Sequence, residues 1–247
     1  MQTQPEDRLV KPEVVIDAPQ ALAHLFADLF SAQARAAIAA GRQFSCALPG
    51  GSVAETFFPV LARAPLAWDQ VEFFWGDERA VGPNDPESNY GLAKRLLLDP
   101  VRADPRRVHR IAGESDDLEA AARAYEQEMV RVLGDPPCID LVVLGLGPEG
   151  HVCSLFPGAP LLRERVRRVA AITDSLKPPP RRITFTMLPL ELARAICIAG
   201  FGDSKAEAIR ATLKDPESQI PVALAKRAAR RVFILIDQAA AGLLRSE

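Results

Sequence analysis

The sequence predicts one doubly wound α/β domain over residues 1–247, a single, mostly parallel, Rossmann-like sheet flanked by helices. Three observations predict it. Short apolar runs rich in branched and aromatic residues alternate with longer amphipathic ones, as strands buried on both faces alternate with helices. Most of these runs end abruptly in a glycine-rich or charged loop, where open α/β sheets bind their ligands. No internal repeat or low-complexity linker divides the 247 residues, which suffice for one large core.

Composition narrows the function classes. The net charge is −2 with acid and base interspersed, so no basic face for nucleic acid is expected and a charged substrate must be met locally. No apolar run approaches the roughly 18 residues of a membrane span. The opening MQTQPEDRLVKPE lacks the apolar centre of a signal peptide. Cys46, Cys138, Cys153 and Cys197 are scattered without zinc-ligand spacing, and Cys46 and Cys197 fall in apolar runs. Free thiols in a reducing cytoplasm are expected, in a monomer or weak dimer.

The elements follow in order. Residues 1–12 read as a tail or edge strand. Over residues 21–40, Leu22, Leu25, Phe26, Leu29 and Phe30 share one helical face, and His24 points the other way as a surface histidine. Phe44–Leu48 is a buried strand followed at once by Pro49-Gly50-Gly51-Ser52. Ser52 and Glu55 have capping-box spacing, so a helix is expected to start at Ser52. A strand, two glycines and a helix N-terminus leave backbone N–H groups pointing outward beside a favourable dipole, which suits a phosphate. An ordinary capped turn would need only one of the glycines.

Val71–Trp75 is the next strand, ending in Gly76-Asp77-Glu78-Arg79. Asp77 and Arg79 then crowd the same sheet edge as the neighbouring loops and are assigned to a polar pocket. Residues 82–86 form a loop, and Ser88 caps a helix through Leu98, with Asn89 facing the pocket. His109 lies in a basic surface connector or short strand and is given no functional role. A helix over residues 117–133 carries Leu118, Ala121, Ala122, Tyr125, Met129 and Val132 on one face.

Beyond the central strand at 139–144 come a short strand at 169–172 and a stiff surface connector at 174–180, with Lys177 and three consecutive prolines. Residues 181–186 alternate as a strand with Arg181 at its mouth, placed to meet an anion or to lie in solvent. A strand at 196–199 leads through Gly200-Phe201-Gly202 to a helix capped by Ser204 with Glu207. Lys205 in its first turn opposes the dipole preference, which is explicable if it faces an anion. A strand at 232–236 and a closing helix at 237–244 complete the chain.

The chain is organised around residues 139–158, IDLVVLGLGPEGHVCSLFPG. A buried strand breaks into Gly145, Gly147 and Gly150, backbone that turns sharply and can lie close against a ligand. Into this loop the chain places Glu149, His151 and Ser154. The G-x-G-x-x-G spacing also fits a dinucleotide turn. Pro148, however, removes a donor, and Glu149 puts a charge where a pyrophosphate would sit. No nucleotide is expected. Cys153 is a nucleophile candidate or, since nothing marks it as activated, a small packing residue.

There is no G-x-S-x-G and no histidine or cysteine cluster with metal spacing, so neither a metal nor a cofactor is expected. What remains is a histidine able to act as general base on water near neutrality, with a small phosphorylated substrate.

The segments ALPGGSVAETF, FFWGDERAVGPNDPESNYGLAKRLLL and IDLVVLGLGPEGHVCSLFPG resemble the glucosamine-6-phosphate deaminase/6-phosphogluconolactonase family. The resemblance continues through PPPRRITFT and GDSKAEAI, nearly the whole chain. It implies the sugar-phosphate isomerase/deaminase-like fold. Deaminases of this kind follow the histidine with an Asn-Glu-Pro-Gly type sequence, whereas this chain has Ser154-Leu155-Phe156-Pro157-Gly158, the lactonase form. The implied activity is hydrolysis of 6-phospho-D-glucono-1,5-lactone, with His151 as general base at C1. Glu149 stands where the family usually has Asp, and Val53 where it usually has Thr. Gly50, Gly51 and Ser52 match the phosphate-side loop, Asp77 and Arg79 the second loop, and Gly147 the central turn. Arg181 and Lys205 match positions expected to hold phosphate or sugar oxygens. A sugar-phosphate isomerase or deaminase, or a non-catalytic sugar-phosphate sensor, are the alternatives on the same frame.

Overall fold

The structure is a computed structural model that describes residues 13–244. The expected tail at 1–12 lies outside the described residues. Among those residues the strands are β1 (Glu13–Ile16), β2 (Phe44–Leu48), β3 (Val71–Trp75), β4 (Asp77–Arg79), β5 (Leu141–Gly145), β6 (Val169–Ile172), β7 (Arg182–Phe185), β8 (Ala195–Gly200) and β9 (Val232–Ile236). The helices are α1 (Pro19–Ala39), α2 (Gly51–Leu61), α3 (Asn89–Ala93), α4 (Leu118–Leu133), α5 (Met187–Leu192), α6 (Ala206–Lys214) and α7 (Pro221–Ala228).

Six strands form a wholly parallel sheet in the order β1-β9-β8-β5-β2-β3. β2, β3, β8 and β9 are buried along their whole length, which is why they read as unbroken apolar runs rather than alternating ones. From β2 the chain leaves through α2 to β3 at one edge, and after β5 it builds outward the other way to β8 and β9. The direction of winding therefore reverses between β2 and β5. That is the switch point where open α/β sheets leave a crevice at the strands' carboxyl ends.

A second sheet, antiparallel β4-β7-β6, accompanies the parallel one and was not part of the single-sheet expectation. The charged triplet after Gly76 is not a bare turn. It pairs with β7, Asp77 opposite Thr184 and Arg79 opposite Arg182, while Phe185 N–H donates to Gly76 C=O at 2.7 Å. The small sheet thus springs directly from the end of β3. The other side of β7 pairs with β6, and α4 packs on both.

Helix burial refines the expected faces. On α1 the buried stripe is Leu22, Ala23, Phe26, Ala27, Phe30 and Ala34, with Leu25 exposed. The alanines let α1 approach α2 closely, and Phe26 stacks on Phe57 with centroids 4.5 Å apart. Phe57 also meets Phe201 edge-on at 5.7 Å, tying α2 to the loop after β8. Helices α5 and α7 were not foreseen. Both are short and begin beside a proline or threonine, giving little periodic signal.

Three local expectations are corrected. The helix expected at 237–244 is a turn followed by a 3₁₀ turn at Gly242–Leu244, and the Asp237 carboxylate accepts the Gly202 and Ala240 N–H groups. Ser204 does not cap α6, which begins after a 3₁₀ turn without a side-chain cap, and Glu207 pairs with Arg210. His109 is not on the surface. Its ring stacks on Phe74 and its two nitrogens lie 2.8 Å from Glu72 and Glu128, locking the 105–109 segment between β3 and α4. No helix among the described residues is long and apolar enough to cross a membrane.

Phe57 is fully buried at the joint of α1, α2 and the β8 loop. Phe57→Ala is expected to cost about 3–5 kcal/mol of unfolding free energy, read as a lower urea midpoint with unchanged slope.

Candidate active site

The crevice at the switch point is a cleft of about 290 Å³. Its walls are the loop from β2 into α2, the turn after β5, the small sheet with the 177–178 segment, and the loop from β8 to Lys205. Four cations, Arg79, Lys177, Arg182 and Lys205, line it against one carboxylate, Asp77. An anionic ligand is favoured even though the chain as a whole is nearly neutral.

The β2 loop supplies a bare helix N-terminus. Gly50 is the residue before α2, no side chain caps the helix, and its first turn holds no acid. The expected Ser52 cap is therefore corrected: Ser52 lies inside the first turn, and its C=O accepts from Thr56 Oγ1 at 2.7 Å. The opening N–H groups are left for a ligand, where the dipole favours an anion. Gly51 takes φ +61°, which only glycine adopts readily. Asn89 sits so close behind Gly50 that a Cβ there would come 1.8 Å from its Oδ1.

The turn after β5 holds the imidazole in a slot. Gly147 N–H donates to His151 C=O and Gly150 N–H to Gly147 C=O, both at 3.0 Å. A Cβ on Gly147 would fall 1.8 Å from His151 Nδ1, so the ring occupies the space that glycine leaves. Phe156 stacks on the other side, centroids 4.6 Å apart. Glu149 Oε2 is 3.2 Å from Nδ1 and 3.3 Å from Lys177 Nζ. Burial, and next the Lys177 charge, hold His151 below its ordinary value, with Glu149 and Asp77 opposing. The shift favours the neutral ring, the form that can accept a proton. Burial raises Glu149, but a backbone N–H and the His151 and Lys177 charges outweigh it and keep the carboxyl below its ordinary range. Burial and the Lys177 charge likewise pull Lys205 down, against Glu149.

Behind the cleft lies a buried polar frame. Asp77 Oδ2 accepts from Ser154 Oγ at 2.7 Å, and Asn89 Nδ2 donates to Asp77 C=O at 2.9 Å. Arg182, only 4% exposed, donates to Ser154 Oγ and to the carbonyls of Lys177, Pro178 and Pro179 at 3.0–3.3 Å. It clamps the proline segment onto the site. Glu78 receives four donors, the N–H groups of Arg79, Asn89 and Tyr90 and the Ser88 hydroxyl, at 2.8–3.0 Å. Ser88 caps α3 as expected, accepting from Gly91 N–H. Burial pushes the Glu78 carboxyl up, opposed by these bonds. Cys153 lines the cleft but is not activated, since burial and then the Asp77 charge push its thiol well above its ordinary value. Among the described residues no three His, Cys, Asp or Glu side chains could hold a metal ion.

Of the residues singled out in the sequence, Gly50, Gly51, Ser52, Asp77, Arg79, Asn89, Gly147, His151 and Lys205 line the cleft. Glu149 stands just behind, reaching it through His151 and Lys177. Arg181 does not line it: the side chain is exposed and donates to Asp116 C=O. Successive strand residues face opposite ways, so its neighbour Arg182 enters the cleft instead. Arg182 has the same parity as Thr184 and Thr186, the polar side of an alternating strand whose apolar side is Ile183 and Phe185. That parity was the available signal. Lys177, in a segment expected on the surface, had none beyond the stiffness of the prolines that present it.

A family model described as glucosamine-6-phosphate isomerases/6-phosphogluconolactonase matches residues 17–234. The chain belongs to this family. It is 36% identical to a Streptomyces coelicolor 6-phosphogluconolactonase, covering 93% of this chain and 97% of that one. It is also 36% identical to the Homo sapiens 6-phosphogluconolactonase, covering 93% and 92%. Among solved structures it resembles 6-phosphogluconolactonase from Trypanosoma cruzi, with TM-score 0.84, 26% identity and coverage of 95% and 97%. It also resembles a monomeric glucosamine-6-phosphate deaminase, with TM-score 0.80, 25% identity and coverage of 94% and 99%. Both activities named for the family are thus found on this frame.

The slot makes a test of the family's central turn in this chain. Gly147 does not have positive φ, so Gly147→Ala strains the backbone little, yet its methyl group displaces the imidazole. Turnover is expected to fall about 100-fold while the urea midpoint stays close to wild type.

Proposed function

We propose that the cleft hydrolyses 6-phospho-D-glucono-1,5-lactone to 6-phospho-D-gluconate, the lactonase step of the oxidative pentose phosphate pathway. The observation that carries this reading is an imidazole slotted between Gly147 and Phe156 and opening onto a cleft lined by four cations. Such a site offers a base at one point and anion-binding groups around it. The curated relatives' names and the Ser154-Leu155-Phe156-Pro157-Gly158 continuation support the lactonase over the deaminase.

In this reading the phosphate lies on the bare N-terminus of α2 and the nearby cations. Nδ1 of His151 faces Glu149, which leaves Nε2 to take a proton from water. The water oxygen bonds to C1, and cleft donors stabilise the developing oxyanion. The C1–ring oxygen bond then breaks, and the imidazolium returns its proton to the departing C5 oxygen. The carboxylic acid product ionises. We assign His151 as catalytic base, Glu149 as its orienting carboxylate, and Gly50, Gly51, Ser52, Arg79, Lys177 and Lys205 to the substrate. Asp77, Asn89, Gly147 and Arg182 hold the frame. We infer a monomer or weak dimer. The four unpaired cysteines fit a reducing, cytoplasmic setting.

The test is hydrolysis of freshly generated lactone coupled to 6-phosphogluconate dehydrogenase, read above the spontaneous rate. His151→Ala is expected to lower kcat by about 10²–10⁴-fold. Arg79→Ala is expected chiefly to raise KM, and an unchanged KM would remove it from the substrate. If wild type shows only background while releasing ammonia from glucosamine 6-phosphate, the deaminase reading replaces this one.

The pH profile has a defined sign. Because His151 titrates below its ordinary value, kcat/KM should stay level down to about pH 6.5 and fall only below it. Glu149 favours the imidazolium, so Glu149→Gln should move that acid limb to still lower pH while reducing the rate. A limb that moves upward would remove Glu149 as the partner of His151.

A further inference from the structure

One oxygen serves two partners. Glu149 Oε2 lies 3.2 Å from His151 Nδ1 and 3.3 Å from Lys177 Nζ. Only the contact with Lys177 is directed as a hydrogen bond, whereas Nδ1 of His151 is buried and has no hydrogen-bond partner. The carboxylate that would orient the base is turned towards an ammonium group. That ammonium belongs to the proline segment rather than to the histidine's own loop. Its backbone is fixed, because Arg182 binds the carbonyls of Lys177, Pro178 and Pro179. Its side chain is 40% exposed and lines the cleft, free to swing on a four-carbon stem. Anything anionic that enters the cleft competes with Glu149 for this lysine.

We propose that Lys177 is a positioning residue coupling anion binding to the base: a phosphorylated ligand draws its ammonium off Glu149, and the freed carboxylate turns to accept the Nδ1–H of His151. This rests on the sugar-phosphate reading of the cleft and adds to it the order of events. Both consequences act in one direction. The imidazole gains an acceptor for Nδ1–H and loses a nearby positive charge, so it binds a proton more strongly once the ligand is in place. The charged groups facing the ring are Glu149 on its own loop, Lys177 on the proline segment and Asp77 on β4, and of these Asp77 is held in the buried frame. The coupling is reciprocal, so protonating His151 strengthens anion binding by the same factor. The base would then reach its full strength only when substrate is present, and water in the cleft alone would not draw on it.

The test follows the His151 ring by proton–nitrogen NMR through a pH titration, with and without saturating inorganic phosphate. His151→Ala assigns its signals among those of the three histidines. Phosphate binding is measured on the same samples by calorimetry. In wild type, phosphate is expected to raise the His151 midpoint. Lys177→Met should start from a higher midpoint and respond clearly less, and Lys177→Arg should restore the response. Glu149→Gln should start lower and keep only the direct effect of the anion's charge. A wild-type response in Lys177→Met or in Glu149→Gln overturns the proposal, whatever the lactonase assay gives. If phosphate fails to bind wild type, the anion-binding reading of the cleft falls and the coupling falls with it.

Discussion

The pairing of β2 with β5 is the constraint on which the rest depends. Only two register pairs join them, Cys46 with Leu141 and Ala47 with Val142, yet they unite the two halves of the sheet. The Asp140 carboxylate fixes that register. It accepts from Ser45 N–H and Ser45 Oγ at 3.0 and 3.1 Å and pairs with Arg42 and Arg194. A slip of one residue would turn every side chain of the strand to the other face. With the register held, the loops after β2 and β5 leave the sheet side by side and continue in opposite directions. The crevice between them is a consequence of the winding, and both glycine-rich loops border it.

Buried charge around the crevice divides into two kinds. Arg182 and Glu78 are buried but saturated, one by three carbonyls and a hydroxyl, the other by three N–H groups and a hydroxyl. Their hydrogen bonds offset the cost of leaving water, so they act as rivets. Other atoms are buried and unmet. Of five such side-chain atoms among the described residues, three belong to Arg79, Asn89 and His151, all of which line the cleft. Native proteins leave few buried polar atoms without a partner, so their concentration in one crevice, beside an uncapped helix N-terminus, sets it apart from the rest of the described residues.

How much of this was legible in the sequence depends on where each signal lay. Strands buried on both faces read clearly: Phe44–Leu48, Val71–Trp75 and Val232–Ile236 stand at their expected bounds, as does the partly buried edge strand Val169–Ile172. So did the loops after them, because glycine beside charge at the end of an apolar run is a local signal. Tertiary placement was not legible. The second sheet forms because β4 pairs with a strand about a hundred residues later, and nothing in Asp77-Glu78-Arg79 alone announces that partner. Lys177 read as a surface residue because its segment is polar and proline-rich. Only the Arg182 clamp brings it to the cleft. Glu78 looked like one more charge in a turn, although it gathers the start of α3 onto β4. The capping-box spacing at Ser52 misled because the helix begins one residue earlier, at Gly51, which puts Ser52 inside the first turn with its C=O accepting from Thr56 Oγ1.

In the proposed mechanism the base and the anion-binding groups stand on different strand ends: His151 and Glu149 after β5, the bare helix after β2, Lys205 after β8 and Arg79 on β4. Each can vary without unfolding the others, because the parallel sheet carries the register and the loops carry the chemistry. This explains how one frame can serve both lactone opening and amino-sugar chemistry. Both need a sugar phosphate anchored at a fixed distance from a proton-transferring group. They differ in what surrounds that group, and here its surroundings are set by the residues on both sides of His151. Phe156 closes the slot from one side and Gly147 opens it from the other, while Ser154 ties the same loop to Asp77. The imidazole is held in one orientation by shape, while burial first, and then Lys177 and Glu149 in opposite directions, shift its affinity for a proton. In the proposed mechanism shape fixes where the proton is exchanged, and burial and charge govern how readily.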